Sequence, residues 1–120
     1  MQAYSFTNGS RFARVGCVFI VSQNGGGSRI TISENEFDGV TTTSATCNGT
    51  HYWGAMLYTN VDQLTLDHNW FHDPSGRAPK LSTDSVSGTF HAVNTYFENM
   101  KGHVFDARSG VKALTEGNVF

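Results

Sequence analysis

The sequence predicts an all-β chain wound as a right-handed, single-stranded parallel β-helix, a solenoid of about four to five coils. Three observations lead there: a composition poor in helix formers, a short motif that recurs, and a spacing between copies that shrinks toward one unit. The 120 residues include 13 Gly, with Thr, Ser, Asn and Val abundant, against 5 Leu and 2 Pro. That is the vocabulary of strands and turns. Charged residues make up 15% with a net charge of −2, which removes the electrostatic basis for a nucleic-acid partner. With 38% apolar residues, no window is long enough to span or anchor in a bilayer.

The motif reads apolar, any, apolar, two polar, Asn, any, aromatic. Ile30-Thr31-Ile32-Ser33-Glu34-Asn35-Glu36-Phe37 is the clearest copy, and Leu64-Thr65-Leu66-Asp67-His68-Asn69-Trp70-Phe71 matches it in residue type. Phe90 to Phe97 is looser, with Thr95 at the Asn position, and Ala113 to Phe120 closes the series. The terminal aromatics Phe37, Phe71, Phe97 and Phe120 are spaced by 34, 26 and 23 residues. Removing an inserted stretch, Thr41 to Gly54, brings the first interval close to the others. A period of this size without helices marks a solenoid whose repeat is one coil of short strands.

Within each copy the first and third residues point inward, Asn makes a two-residue corner, and the aromatic points inward on the next strand. Asn tolerates left-handed backbone, and stacked Asn side chains can hydrogen-bond in a ladder that Thr95 is expected to interrupt. Loops 41–54 and 72–80 should project from one side. A small β-sandwich competes with this reading, since Asn8-Gly9, Asp38-Gly39 and Asn48-Gly49 could be hairpin turns.

Residues 1–120 read as a single β-helix domain. Its last copy stops on an inward-facing aromatic with no polar cap, so the expectation is the central part of a longer protein. No secretory signal is visible at Met1–Thr7, and Cys17 and Cys47 could pair or stay free.

Two regions could carry chemistry. Asp73-Pro74-Ser75-Gly76-Arg77-Ala78-Pro79-Lys80 sets two cations on a loop stiffened by two prolines, suited to anions or acyl oxygens. The inserted loop offers His51-Tyr52-Trp53, faces on which sugar rings stack. Residue physics alone favours the plainer view: a solvated loop bearing Arg77 and Lys80, and a barrel side closed by Tyr52 and Trp53. The histidines lack ligand spacing except His68 with His72. Asp62, Asp67, Asp73 and Asp84 are scattered, which argues against a hydrolase dyad or a calcium cage. Asp106 and Arg108 either edge the cleft or face solvent.

Asp38-Gly39-Val40, Ser44-Ala45-Thr46-Cys47, His51-Tyr52-Trp53-Gly54, Ser75-Gly76-Arg77-Ala78-Pro79-Lys80, Gly102-His103-Val104-Phe105 and Glu116-Gly117-Asn118-Val119-Phe120 together resemble the pectin lyases of fungi and oomycetes, within the pectate lyase superfamily. The likeness runs from about Arg11 to the C-terminus. It implies a right-handed parallel β-helix, secreted to degrade plant cell walls, that cleaves methyl-esterified galacturonan by β-elimination. It also implies the central part of a longer pectin lyase, acting as a monomer on pectin with no cofactor and no metal.

By this resemblance Arg77 is the catalytic arginine, taken as the proton acceptor, Lys80 closes its loop, and Tyr52 and Trp53 line the substrate cleft. An arginine base is costly. With a solution pKa of about 13, its neutral form at pH 8 costs roughly 7 kcal/mol, so neighbouring cations and desolvation would have to help. Alternatively the charged guanidinium stabilises an enolate-like intermediate. The sequence departs from the family where Ala13-Arg14-Val15-Gly16 is followed by Cys17 rather than an arginine, and the family's active-site aspartate and the disulfide partner of Cys47 fall upstream of Met1. The expectation is a chain weakly active or inactive alone. A non-catalytic pectin-binding β-helix and a calcium-dependent pectate lyase relative are the alternatives.

Overall fold

The computed structural model describes residues 4–15, 18–22, 29–42, 49–57, 63–81 and 88–120, with side chains described from residue 9 onward. Cys17 and Cys47, and with them their pairing, lie outside these residues, as do Asp62 and Asp84. In chain order the strands are β1 (Tyr4–Asn8), β2 (Arg11–Phe12), β3 (Val18–Ser22), β4 (Ile30–Ser33), β5 (Glu36–Asp38), β6 (Trp53–Leu57), β7 (Gln63–Asp67), β8 (Trp70–His72), β9 (Lys80–Leu81), β10 (Thr89–Val93), β11 (Tyr96–Glu98), β12 (Asp106–Ala107) and β13 (Lys112–Glu116). Among the described residues there is no helix, so none long and apolar enough to cross a membrane.

Every third strand joins the same sheet. The first sheet runs β1-β4-β7-β10-β13, the second β2-β5-β8-β11 and the third β3-β6-β9-β12. All pairings between these strands are parallel, so the chain is a three-sheet parallel β-helix. One turn of chain supplies one strand to each sheet, giving four coils and a strand of a fifth. No sandwich forms, and Asp38-Gly39 leads from β5 into a wide loop rather than a hairpin between paired strands.

The register follows the motif. Ile30 pairs with Leu64, Ile32 with Leu66, and Leu64 and Leu66 with Phe90 and Ala92. Side chains alternate accordingly: along β7, Leu64 and Leu66 are buried while Gln63 is exposed. In the second sheet Phe12, Phe37, Phe71, Phe97 and Phe120 form one inward column, successive centroids 5.0, 4.3, 5.6 and 5.5 Å apart with nearly parallel planes. Such contacts add about 0.5–1.5 kcal/mol per pair to the burial itself. Leu57, Leu81, Ile32 and Leu66 fill the rest of the bore.

Two corner details correct the sequence reading. The left-handed residue is the one before the ladder position: Glu34, His68, Asn94 and Gly117 have φ of 57°, 52°, 50° and 62°. Nor does Thr95 interrupt the ladder. Asn35 N–H donates to Asn69 Oδ1 at 3.1 Å, Asn69 N–H to Thr95 Oγ1 at 3.5 Å, and Thr95 N–H to Asn118 Oδ1 at 2.9 Å. A threonine hydroxyl accepts just as an amide oxygen does, and it returns its own proton to Val93 O.

The first coil was a copy missed by the motif. Tyr4 pairs with Ile30 and Phe6 with Ile32, but the register shifts between Phe6 and Asn8. That extra residue, and Ser10 standing where later coils have Asn, hide the copy from a fixed eight-residue pattern. Ser10 still joins the ladder, its N–H donating to Asn35 Oδ1 at 3.1 Å. The loops also end differently from the expected 41–54 and 72–80. Trp53 and Gly54 already belong to β6, His72 still belongs to β8, and Lys80 opens β9.

Candidate active site

Arg77 is held at its backbone from both sides. Its N–H donates to Tyr52 O at 2.9 Å, and its carbonyl accepts from Gly54 N–H at 2.8 Å, making a parallel bridge to Trp53. The next coil continues the stack, with Ala78 N–H donating to His103 O and Asp106 N–H to Pro79 O. Gly76 is required here: a Cβ would strike the Tyr52 carbonyl and ring. Thus the Ser75-Gly76-Arg77 run sits directly on Tyr52-Trp53, and the Ala78–Pro79 peptide is cis.

Four side chains meet as a result. The Arg77 guanidinium carbon and the Lys80 ammonium each lie 5.2 Å from the centroid of the Trp53 ring. Tyr52 meets Trp53 edge-on at 4.6 Å. The two regions singled out in the sequence are therefore one place on the molecule. The structure also gives Trp53 a part not read from the sequence, since its ring backs both cations through cation–π attraction.

Asp106 completes the cluster. Its Oδ2 lies 2.9 Å from Arg77 Nε, and Arg108 Nε stands 3.9 Å from its Oδ1. In the third sheet Met56, Lys80 and Asp106 are in register across β6, β9 and β12. Sequence reasoning left Asp106 and Arg108 at the cleft edge or in solvent. The only sequence signal was a carboxylate two residues before an arginine in a part of the coil without a fixed period.

Beneath the aromatic wall lies His51, 1% exposed and stacked on Phe19 at 4.3 Å. Among the described residues neither ring nitrogen makes a well-aligned hydrogen bond, the Trp53 and Val15 backbones being its polar neighbours. Burial lowers the pKa of this imidazole, against the opposing pull of the Trp53 and Val15 backbones.

A second polar cluster lies on the outer face of the second sheet. Glu36, Asp38 and His72 bring one ligand atom each within 4.8 Å of one another, a grouping that could in principle hold a metal and that the histidine spacing did not reveal. Arg11 already serves it, with Nε 2.9 Å from Glu36 and Nη2 2.7 Å from Asp38. His72 Nδ1 lies 2.8 Å from Asp73 Oδ2 and Nε2 3.1 Å from Glu36 Oε1. Burial works against its charge, but Asp73, Glu36 and Asp38 outweigh it and raise its pKa. Asp73 is correspondingly lowered, chiefly by its bond to His72. With carboxylates committed to a guanidinium and an imidazole, the donor set is that of an ion-pair network.

Comparison with known proteins supplies the relatives. Residues 19–120 match the family model described as pectate lyase. The chain is 50% identical over 113 residues to the probable pectin lyase F-1 of Aspergillus terreus, covering 92% of this chain and 29% of that protein. It is 47% identical, with the same coverage of each, to the probable pectin lyase F of Neosartorya fischeri. Pectin lyase B of Emericella nidulans is 43% identical over 108 residues, 90% of this chain and 28% of the relative. The chain thus spans under a third of the length of these relatives.

Proposed function

We propose, from the premise that this chain belongs to the pectate lyase family, that it is the central part of a pectin lyase and cleaves methyl-esterified (1→4)-α-D-galacturonan by elimination. The observation that carries the reading is the convergence of Arg77 and Lys80 on the Trp53 ring, inside a segment shared with pectin lyases. Two neighbours set how the cluster meets a sugar. Tyr52 and Trp53 form an aromatic wall, and the cations are backed by that wall. Arg77 meets Asp106 at its inner nitrogen Nε, 2.9 Å away.

The chemistry follows. A uronate ring lies against Tyr52 and Trp53 with its C5 toward Arg77. The C5 proton is removed, the C5–H electron pair becomes the C4=C5 double bond, and the C4–O bond breaks. The departing oxygen takes a proton and becomes the hydroxyl of the other fragment, so no water is consumed. Neutral Arg77 accepts the C5 proton on a guanidine nitrogen, and the guanidinium so formed stabilises the negative charge left on the ester carbonyl. Lys80 adds a second positive charge to the same face. A methyl ester makes C5–H more acidic than a carboxylate does, because it withdraws electrons without a charge of its own.

The enzyme works as a secreted monomer on plant cell walls, needs no cofactor, and in this chain is weakly active or inactive, because Cys17 stands in place of an arginine and the family's active-site aspartate falls upstream. Near-ultraviolet absorbance of C4–C5 unsaturated ends tests the reading with methylated and demethylated galacturonan, each with chelator and with calcium. Signal on the ester in chelator is expected. Signal only on demethylated polymer with calcium, or new reducing ends without unsaturation, overturns it.

A further inference from the structure

We infer that Asp106 is a positioning residue for Arg77: it fixes the near nitrogen of the guanidinium so that the two far nitrogens are presented to substrate. The inference rests on the reading of Arg77 given above. The pair is built into the fold rather than left at the surface. Arg77 and Asp106 side chains are 24% and 18% exposed, and Asp106 Oδ2 stands 2.9 Å from Nε. Both atoms are buried and face each other as an ion pair, but the N–H is not aligned on the oxygen and neither atom makes a hydrogen bond. Buried polar atoms left in that condition are uncommon and gather at working sites.

The backbone sets both partners. Asp106 N–H donates to Pro79 O at 3.1 Å, two residues beyond Arg77, and Arg77 is tied to Tyr52 and Gly54 on the preceding coil. Strand β12 therefore delivers a carboxylate to a guanidinium whose own backbone is already fixed. The planar fork can still rotate and swing about its stem. Trp53 restrains the plane from its face, at 5.2 Å, and Asp106 restrains it from its edge. A guanidinium pinned at Nε and on its face can offer only Nη1 and Nη2 to a ligand. Arg108 at 3.9 Å and Lys80 in the paired strand position add positive charge around Asp106, so the carboxylate also keeps the cations from spreading apart.

The test compares Asp106→Asn, Asp106→Ala and Asp106→Glu with the unaltered chain. Two readouts are taken: steady-state elimination on methylated galacturonan, and the exchange rate of the Arg77 Nε proton by nitrogen-15 NMR, assigned with Arg77→Lys. Loss of orientation predicts kcat down about 10- to 100-fold in Asp106→Asn and Asp106→Ala, with KM changed less than about threefold. Asp106→Glu should recover part of kcat, which a purely structural carboxylate would not do. The Nε proton should exchange severalfold faster in Asp106→Asn, an isosteric change that keeps the strand. If the unaltered chain shows no elimination, the functional reading fails while proton exchange still decides this inference. Unchanged exchange in Asp106→Asn overturns it, as does kcat within twofold of the unaltered chain.

Discussion

Two of the three corners that each coil turns can be set side by side. Between the first and second sheets the chain always uses two residues: 9–10, 34–35, 68–69 and 94–95. Between the second and third sheets it uses 13–17, 39–52, 73–79 and 99–105, segments of very different length. The uniform corner stacks a buried ladder of side-chain acceptors on backbone donors, and it holds the aromatic column in register. The variable corner carries Tyr52, Trp53, Arg77 and the approach to Lys80. Repetition builds a rigid support, and the departures from repetition place unlike side chains at one spot.

The largest effect should come from breaking the uniform side. Phe71 is 1% exposed in the middle of the aromatic column, so Phe71→Ala should cost about 3–5 kcal/mol in urea denaturation. The variable side responds differently. Arg77→Lys keeps a charge but loses the fork, and should lower elimination about 100-fold or more while costing less unfolding free energy than Phe71→Ala, about 1–2 kcal/mol for the altered pairing with Asp106. If Arg77→Lys instead unfolds the chain, the separation of support from site is wrong.

Removing one rung sharpens the point. Asn69 is 2% exposed, and Asn69→Ala strands the backbone N–H of Asn35 and the carbonyl of Ile32, at a cost of about 1–3 kcal/mol by the same denaturation measurement. Asn69→Thr should cost less, because Thr95 fills the same place in the next coil.

The smallest effects are pH-dependent, and the two histidines differ in sign. His51, lowered by burial at the variable corner, leaves stability intact above about pH 6.5, the unfolded value, and loses it as pH falls toward the folded value. His72, raised in its ion-pair network, contributes fully below about pH 6.5 and loses that contribution as pH rises through its folded value. His51→Phe should flatten the acid side of the stability profile, and His72→Gln the alkaline side by at most about 1 kcal/mol. Urea titrations across that pH range measure both.

How much was legible follows the same division. Ile30, Leu64, Phe37 and Phe71 announced the coils because inward alternation and a two-residue corner repeat at fixed offsets. One inserted residue before Asn8 hid the first coil, since a bulge changes the count without changing the fold. Thr95 looked like a break because amide and hydroxyl differ in name but not in the acceptor they offer. In the site, Arg77, Lys80, Tyr52 and Trp53 could be singled out by type. Asp106 could not, because its partner lies on the preceding coil and the connecting segments obey no period. His72 with Glu36 and Asp38 was missed for the same reason: neighbours across strands are distant in sequence.

The most direct test of the site is eliminative turnover of methyl-esterified galacturonan in chelator by the unaltered chain, Cys17→Arg and Arg77→Ala. The account predicts a weak signal, a signal raised about tenfold or more by the restored arginine, and none with alanine at Arg77. Undiminished elimination by Arg77→Ala would contradict it.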